Sequence, residues 1–195
     1  MSQIGASVAR VVPAVSEELE VLKVVTGRLD ASGIPYMVTG SMALNYYAVP
    51  RMTRDIDLVV ELSVADTDRV CDLFQGDFYV EPETVRESVE RRGTFNLIHT
   101  PLLVKVDLVV RKDTEYRRTE FTRRRRVSLE SHPFFIVAPE DLLISKLDWA
   151  RDTRSEVQLA DVRNLLRSVP GLDRPYLERW TARLGLEALY REVLP

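Results

Sequence analysis

The stretch from Val38 to Glu61 holds the residues best placed to do chemistry. It reads VTGSMALNYYAVPRMTRDIDLVVE. Gly40-Ser41 falls where an apolar strand turns into a helix, and Asp55-Ile56-Asp57 opens a second apolar strand. In a strand, side chains at i and i+2 share a face. Asp55 and Asp57 therefore point the same way, while Ile56 and Leu58 point into a core. Two neighbouring carboxylates repel unless a proton or a cation neutralises them. Magnesium suits them, because it takes carboxylate oxygens and keeps waters and substrate phosphates as its other ligands. Gly40 lets a backbone approach closely. Ser41 adds a hydroxyl and a helix N-terminal amide, a suitable place for a phosphate.

Asp-x-Asp alone is a weak signal. A second copy, Asp66 and Asp68, lies in a segment that reads as a surface helix, where solvation is the simplest account. A third carboxylate changes the balance. Asp107 interrupts the apolar run VKVDLVV of Val104–Val110. An aspartate there is costly unless it is exposed at the sheet end or holds a metal. Asp55, Asp57 and Asp107 on adjacent strands would make a clamp for two metal ions.

The elements that must position these residues are legible from period and punctuation. Ser16 precedes EELEVLKVVTGRL, a cap followed by acidic residues, and Leu19, Leu22, Val25 and Leu29 share one helical face. Gly33-Ile34-Pro35 ends that helix, and Tyr36–Gly40 reads as a short buried strand. A short helix over Ser41–Tyr47 ends before Pro50. Asp55–Glu61 is a strand, Ser63 caps a helix to about Phe74, and Phe78–Val80 and Glu83–Arg91 follow as strand and polar helix. Thr94–His99 and Leu103–Val110 form a hairpin, and Arg126–Leu129 and Phe134–Val137 are two further strands. After Pro139 three stretches are helical by period: EDLLISKLDWARDT, SEVQLADVRNLLRS and RPYLERWTARLGLEALYREVL. The expected class is α+β, a core over residues 1–138 followed by a helical region over 139–195. Residues 1–15 read as a loose arm or short helix.

Composition bounds the rest. The 195 residues are 45% hydrophobic and 29% charged, an ordinary globular balance that excludes a largely disordered chain. No run approaches the roughly 20 apolar residues of a membrane span. The single cysteine, Cys71, excludes an internal disulfide and a multi-cysteine zinc site. With no basic-then-apolar leader at the N-terminus, the expectation is a cytoplasmic protein. His99 and His132 are the only histidines, so a catalytic metal would be a hard cation on oxygen ligands. His99 reads as structural or as lining the pocket.

The net charge of −3 hides an asymmetry: RKDTEYRRTEFTRRRR, Arg111–Arg126, holds eight basic and three acidic residues. Only Lys23, Lys105, Lys112 and Lys146 are lysines; the other basic residues are arginines. As a strand, Arg123–Arg126 would alternate faces, either a charge-protected sheet edge or an RNA contact. Tyr116 and Phe121 could stack bases but read more simply as core, and Trp149, Trp180 and Tyr190 as helix-packing residues.

Taken together, Gly40-Ser41, Asp55-Ile56-Asp57 and Asp107 resemble the nucleotidyltransferase fold of the DNA polymerase β superfamily. The downstream pieces PEDLLISKL (Pro139–Leu147) and Ser155-x-x-Gln158-x-x-Asp161-Val162 narrow the resemblance. They are similar to the minimal nucleotidyltransferases related to abortive-infection and toxin–antitoxin nucleotidyltransferases. The likeness covers roughly residues 35–168. Thirteen residues separate Ser41 from Asp55, somewhat more than the compact motif, and the Pro50–Arg54 loop is expected to absorb them. The resemblance implies transfer of a nucleoside monophosphate from a nucleoside triphosphate (NTP) to an acceptor, with two magnesium ions. It implies Asp55 and Asp57 on both metals, Asp107 on the catalytic one, and Gly40 and Ser41 on the terminal phosphates. The acceptor would be an RNA 3′ end, a protein hydroxyl or a small molecule, and a cognate antitoxin is a possible partner. The competing expectation is a catalytically silent module of the same fold that binds a protein or nucleic acid.

Two further residues enter through the resemblance. Lys146 sits mid-helix among Leu142, Leu143, Ile144 and Leu147. Its two readings are a lysine snorkelling from an apolar face, partly exposed, and a point charge on the triphosphate; the resemblance favours the second. Asp161, in the next helix, either pairs with Lys146 and orients the site or makes a surface bridge to Arg163 or Arg154.

Overall fold

The computed structural model describes residues 16–194, so the expected N-terminal arm lies outside the described residues. Seven strands form one mixed sheet in the order β3-β4-β5-β2-β1-β7-β6. They are β1 (Tyr36–Thr39), β2 (Asp55–Val60), β3 (Phe78–Tyr79), β4 (Thr94–His99), β5 (Val104–Val110), β6 (Arg125–Leu129) and β7 (His132–Ile136). β2 pairs antiparallel with β1 and parallel with β5, and β5 pairs antiparallel with β4. A parallel pair needs a crossover. Between β2 and β5 it is supplied by a 3-10 turn (Val64–Asp66), helix α3 (Thr67–Phe74), β3, helix α4 (Pro82–Arg91) and β4.

Alternation gives the sheet two unlike faces. Ile56, Leu58, Val60, Val106, Leu108, Phe95 and Leu97 are all at most 1% exposed on one face. Helix α1 (Glu17–Ala31) covers that face with Leu19, Leu22, Val25 and Leu29, and the Ser16 hydroxyl caps it by accepting from Leu19 N. Full burial of each such side chain is worth about 1.5–3 kcal/mol. The other face carries Asp55, Asp57, Lys105, Asp107, Thr94 and Asn96, and it opens onto a cleft.

Helix α2 (Gly40–Tyr47) and helix α6 (Pro139–Thr153) flank that cleft. Proline at the first turn of α6 costs no hydrogen bond. The helix is then buried on nearly all sides, between α2, α7 (Glu156–Ser168), α8 (Arg174–Arg183) and α9 (Glu187–Val193). The last expected helical stretch is two helices, because Gly185 takes φ +71 and turns the chain between α8 and α9.

The basic run departs from expectation. Helix α5 (Glu115–Thr122) occupies its middle, and Arg123 is its C-cap rather than a strand residue. Only Arg125 and Arg126 lie in β6, which is the sheet edge. Arg123 donates to Asp141 Oδ2 at 2.9 Å and to Glu140 Oε2 at 3.2 Å, and stacks 3.9 Å from the Tyr176 ring centroid. Arg124 packs over Phe121 and Phe135. Arg123 thereby ties the end of α5 to the helical half, and Arg124 packs it against β7. Tyr116, Phe121, Trp180 and Tyr190 are core residues, as expected.

Asp141 is fully buried, and burial raises its carboxyl although Tyr176 and Arg123 both donate to it. Removing one partner of a buried charge is far costlier than removing an exposed charge. Arg123→Ala is expected to lower the unfolding free energy by about 3 kcal/mol, and Arg126→Ala by less than about 0.5 kcal/mol. Urea denaturation of both variants checks the contrast.

Candidate active site

The parallel register of β2 and β5 sets Asp57 directly beside Asp107, and Asp55 beside Lys105. Asn96 of β4 is opposite Asp107, and Thr39 of β1 is opposite Asp57. One polar row, Asn96–Asp107–Asp57–Thr39, thus crosses four strands. The Asn96 amide donates to Asp107 Oδ1. The Lys105 ammonium lies 2.9 Å from Asp107 Oδ2 and 3.7 Å from Asp55 Oδ1. Burial pushes the Asp57 carboxyl above its ordinary range, and the charges of Asp107 and Asp55 add to the push.

The turn after β1 closes over this row. Gly40 has φ +62, and a Cβ there would collide with the Asp57 carboxylate, 2.7 Å from its Cγ. Only glycine lets the first turn of α2 come so close to Asp57. Ser41 follows in that turn, and its Oγ accepts from Arg51 Nη2 at 2.7 Å. Arg51 also grips Asp161 with two bonds, Nε to Oδ1 at 3.0 Å and Nη2 to Oδ2 at 2.9 Å. Lys146 donates to the same Asp161 Oδ2 at 2.7 Å and to Gln158 Oε1 at 3.2 Å. Burial alone would raise the Asp161 carboxyl, but the donors on Arg51 and Lys146 outweigh it and hold it below the ordinary range. Burial lowers the Lys146 ammonium, against the pull of Asp161.

Each residue singled out in the sequence has a definite place. Gly40, Ser41, Asp57, Asp107 and Lys146 line one cleft of about 610 Å³. Asp55 is not among the residues that line it and is 61% exposed at the side chain, and Asp161 lies behind Lys146. Lys146 is 4% exposed, which corrects the reading of a partly exposed head: its ammonium is held in a buried pair. Asp161 pairs with Lys146 and Arg51, not with Arg163 or Arg154. Trp149 is not a packing residue; it is 60% exposed and lines the cleft. His99 is buried against Phe78, 4.9 Å between ring centroids, and is structural. Asp66 caps the turn at Ser63 and Asp68 is exposed, so the second Asp-x-Asp pair is local and solvated.

Sequence reasoning missed Arg51, Asn96 and Lys105. The i, i+2 rule that paired Asp55 with Asp57 also places Lys105 beside Asp107; no local pattern announces Arg51.

Whether a hard cation fits is answered by the donors and by Lys105. Three carboxylates supply oxygen ligands, and an ammonium already bridges two of them. Among the described residues, no group of three or more His, Cys, Asp or Glu side chains is placed to hold a metal ion as the side chains stand. The site is therefore a carboxylate row with a lysine in the cation's place, and a divalent ion would displace that ammonium.

No family model matches the chain, and no curated protein matches it. Solved structures do match. A nucleotidyltransferase-like protein from Paracoccidioides brasiliensis superposes with TM-score 0.55 at 19% identity, over 85% of each chain. ANT(2″)-Ia, solved with adenylyl-2″-tobramycin, gives TM-score 0.52 at 15% identity, over 91% of this chain and 98% of its own. The lincosamide adenylyltransferase LnuA, solved with lincomycin, gives 0.50 at 12% identity, over 77% and 96%. The chain shares the fold of these nucleotidyltransferase structures, a mixed twisted sheet flanked by helices.

Two consequences follow from the electrostatics. Because the Asp57 carboxyl is raised in the folded state, its contribution to stability is full below the unfolded carboxylate range and is lost as pH rises through the folded value. Asp57→Asn should therefore raise the melting temperature of the metal-free protein at pH 7 by a few degrees, with the gain vanishing near pH 3. Thermal melts in chelator across that range check the sign. Lys146→Ala leaves Asp161 buried with Arg51 as its remaining cation, so it should cost about 3 kcal/mol of stability, read by urea denaturation.

Proposed function

We propose that the cleft transfers a nucleoside monophosphate from an NTP to an acceptor hydroxyl, with magnesium. The observation that carries this reading is the Asp57–Asp107 pair held in register beneath the Gly40 turn. Asp55 and Asp57 would hold two magnesium ions and Asp107 the catalytic one, which when bound neutralise charge at the α-phosphate and acidify the acceptor hydroxyl.

The chain's own groups do the rest. The amides at Gly40 and Ser41 hold the terminal phosphates at the start of α2. Lys146 presents a positive charge beside them, and Asp161 with Arg51 fixes where that charge stands. Asp107 draws the proton from the acceptor oxygen. That oxygen bonds to the α-phosphorus as the bond to the β-phosphate oxygen breaks in line, and pyrophosphate leaves. Within the helical region, α6 and α7 form the wall that holds the donor against the sheet. The protein's contribution is positioning and charge neutralisation.

The acceptor classes are an RNA 3′ end, a protein hydroxyl and a small molecule. Two neighbours, ANT(2″)-Ia solved with adenylyl-2″-tobramycin and LnuA solved with lincomycin, support the small-molecule class. A toxin–antitoxin role in the cytoplasm, with a cognate antitoxin as partner, rests on the family resemblance. Among the described residues no helix is long and apolar enough to cross a membrane.

Labelled NTPs with magnesium, offered total RNA, total protein or tobramycin, test the reading. One acceptor class is expected to take label, and Asp57→Asn or Asp107→Asn to reduce labelling by about 10²-fold or more. If nothing is labelled and calorimetry detects no NTP binding, the silent binding module replaces the enzyme.

A further inference from the structure

We propose that Trp149 is the stacking platform for the base of the bound nucleoside triphosphate. The inference deepens the proposed function and rests on it. The chain has two tryptophans. Trp180 is buried, with ring centroids 5.0 Å from Tyr116 and 6.3 Å from Tyr176. Trp149 is 60% exposed, although it stands on α6, the most enclosed helix of the fold. The exposed indole lines the same cleft as Asp57, Asp107 and Gly40.

Its position along the cleft matters more than its exposure. Trp149 is three residues after Lys146, so the two side chains share a helix face about one turn, or roughly 5 Å, apart. Gly40, Ser41, Lys146 and Trp149 line the same cleft, so a triphosphate held at the turn and by Lys146 has the exposed indole within that cavity for its base. Gln158 lines the cleft too, with its Oε1 turned to Lys146 and its amide hydrogens without a protein partner among the described residues. Valines 59 and 109 line the sheet side. An aromatic face and an apolar sheet patch in one cleft suit a flat, weakly polar ring. Every base has a π-face, so such a platform grips all four with modest differences between them.

The two tryptophans make the test direct. Each of the four NTPs, with magnesium, is titrated into the full chain while tryptophan emission is recorded. Tripolyphosphate with magnesium is the control that lacks a base. All four NTPs are expected to quench emission and tripolyphosphate to leave it unchanged. Trp149→Ala should weaken NTP binding about tenfold while keeping tripolyphosphate affinity within about twofold. Trp149→Phe should recover most of the NTP affinity but lose the quench, since only buried Trp180 then emits. An exposed side chain contributes little to folding, so both variants should melt like the parent. NTP binding with unchanged emission, and with unchanged affinity in Trp149→Ala, overturns the proposal and leaves the proposed function standing. If calorimetry detects neither NTP nor tripolyphosphate binding, both readings fall together.

Discussion

The pairing of β2 with β5 is the constraint on which the rest of the site depends. In register, it sets two carboxylates side by side on neighbouring strands, which lie about 4.8 Å apart. Neither strand can relieve the repulsion by slipping. A shift of one residue would turn Ile56, Leu58, Val106 and Leu108 out of the core, and all are essentially fully buried. Apolar burial on one face thus enforces an unfavourable electrostatic arrangement on the other. Lys105 and Asn96 relieve part of it by donating to Asp107, and Gly40 keeps the chain pressed against Asp57. A fold selected for stability alone would place no second carboxylate there.

The second constraint joins the sheet half to the helical half. Ser41, Arg51, Asp161 and Lys146 form one chain of hydrogen bonds from the start of α2 to the middle of α6 and α7. A buried ion pair is weak grounds for stability, because desolvation cancels much of the attraction. What this one does is fix position: two cations converge on one carboxylate, and moving α6 or α7 breaks the bonds. The segment between Gly40-Ser41 and Asp55 contains Arg51, whose guanidinium spans from Ser41 to Asp161. The extra length of that segment therefore supplies a cross-brace as well as a connection.

Much of this fold is written in the sequence. Period-two alternation marks β2, β4 and β5, because each has one dry and one wet face. Ser16 and the acidic turn after it mark α1. The α5 helix was hidden for a physical reason. Its buried positions are Tyr116, Glu120 and Phe121, so one of three core contacts is a glutamate and the apolar period is broken. Glu120 is tolerated inside because Arg117 and Ser145 donate to it. The carboxylate row was legible from i, i+2 spacing and an aspartate set among valines. The Arg51–Asp161 contact was not, because it joins residues 110 positions apart that carry no shared local pattern.

The uneven use of lysine and arginine has a structural logic. The basic run looks like a patch for an anionic partner, yet much of its charge is paired within the chain. Arg117 is tied to Glu120 and Asp148, Arg118 to Asp113, and Arg123 to Asp141 and Glu140. Arginine suits that work, since its fork meets two oxygens at once and its plane stacks on rings such as Tyr176. Lysine is a compact point charge on a flexible stem, better able to follow a phosphate or yield to a metal. Three of the four lysines, Lys105, Lys112 and Lys146, line the cleft, while Lys23 pairs with Glu130 on the surface. Guanidinium groups brace the frame and, at Arg92, Arg111 and Arg117, also line the cleft beside the ammonium groups.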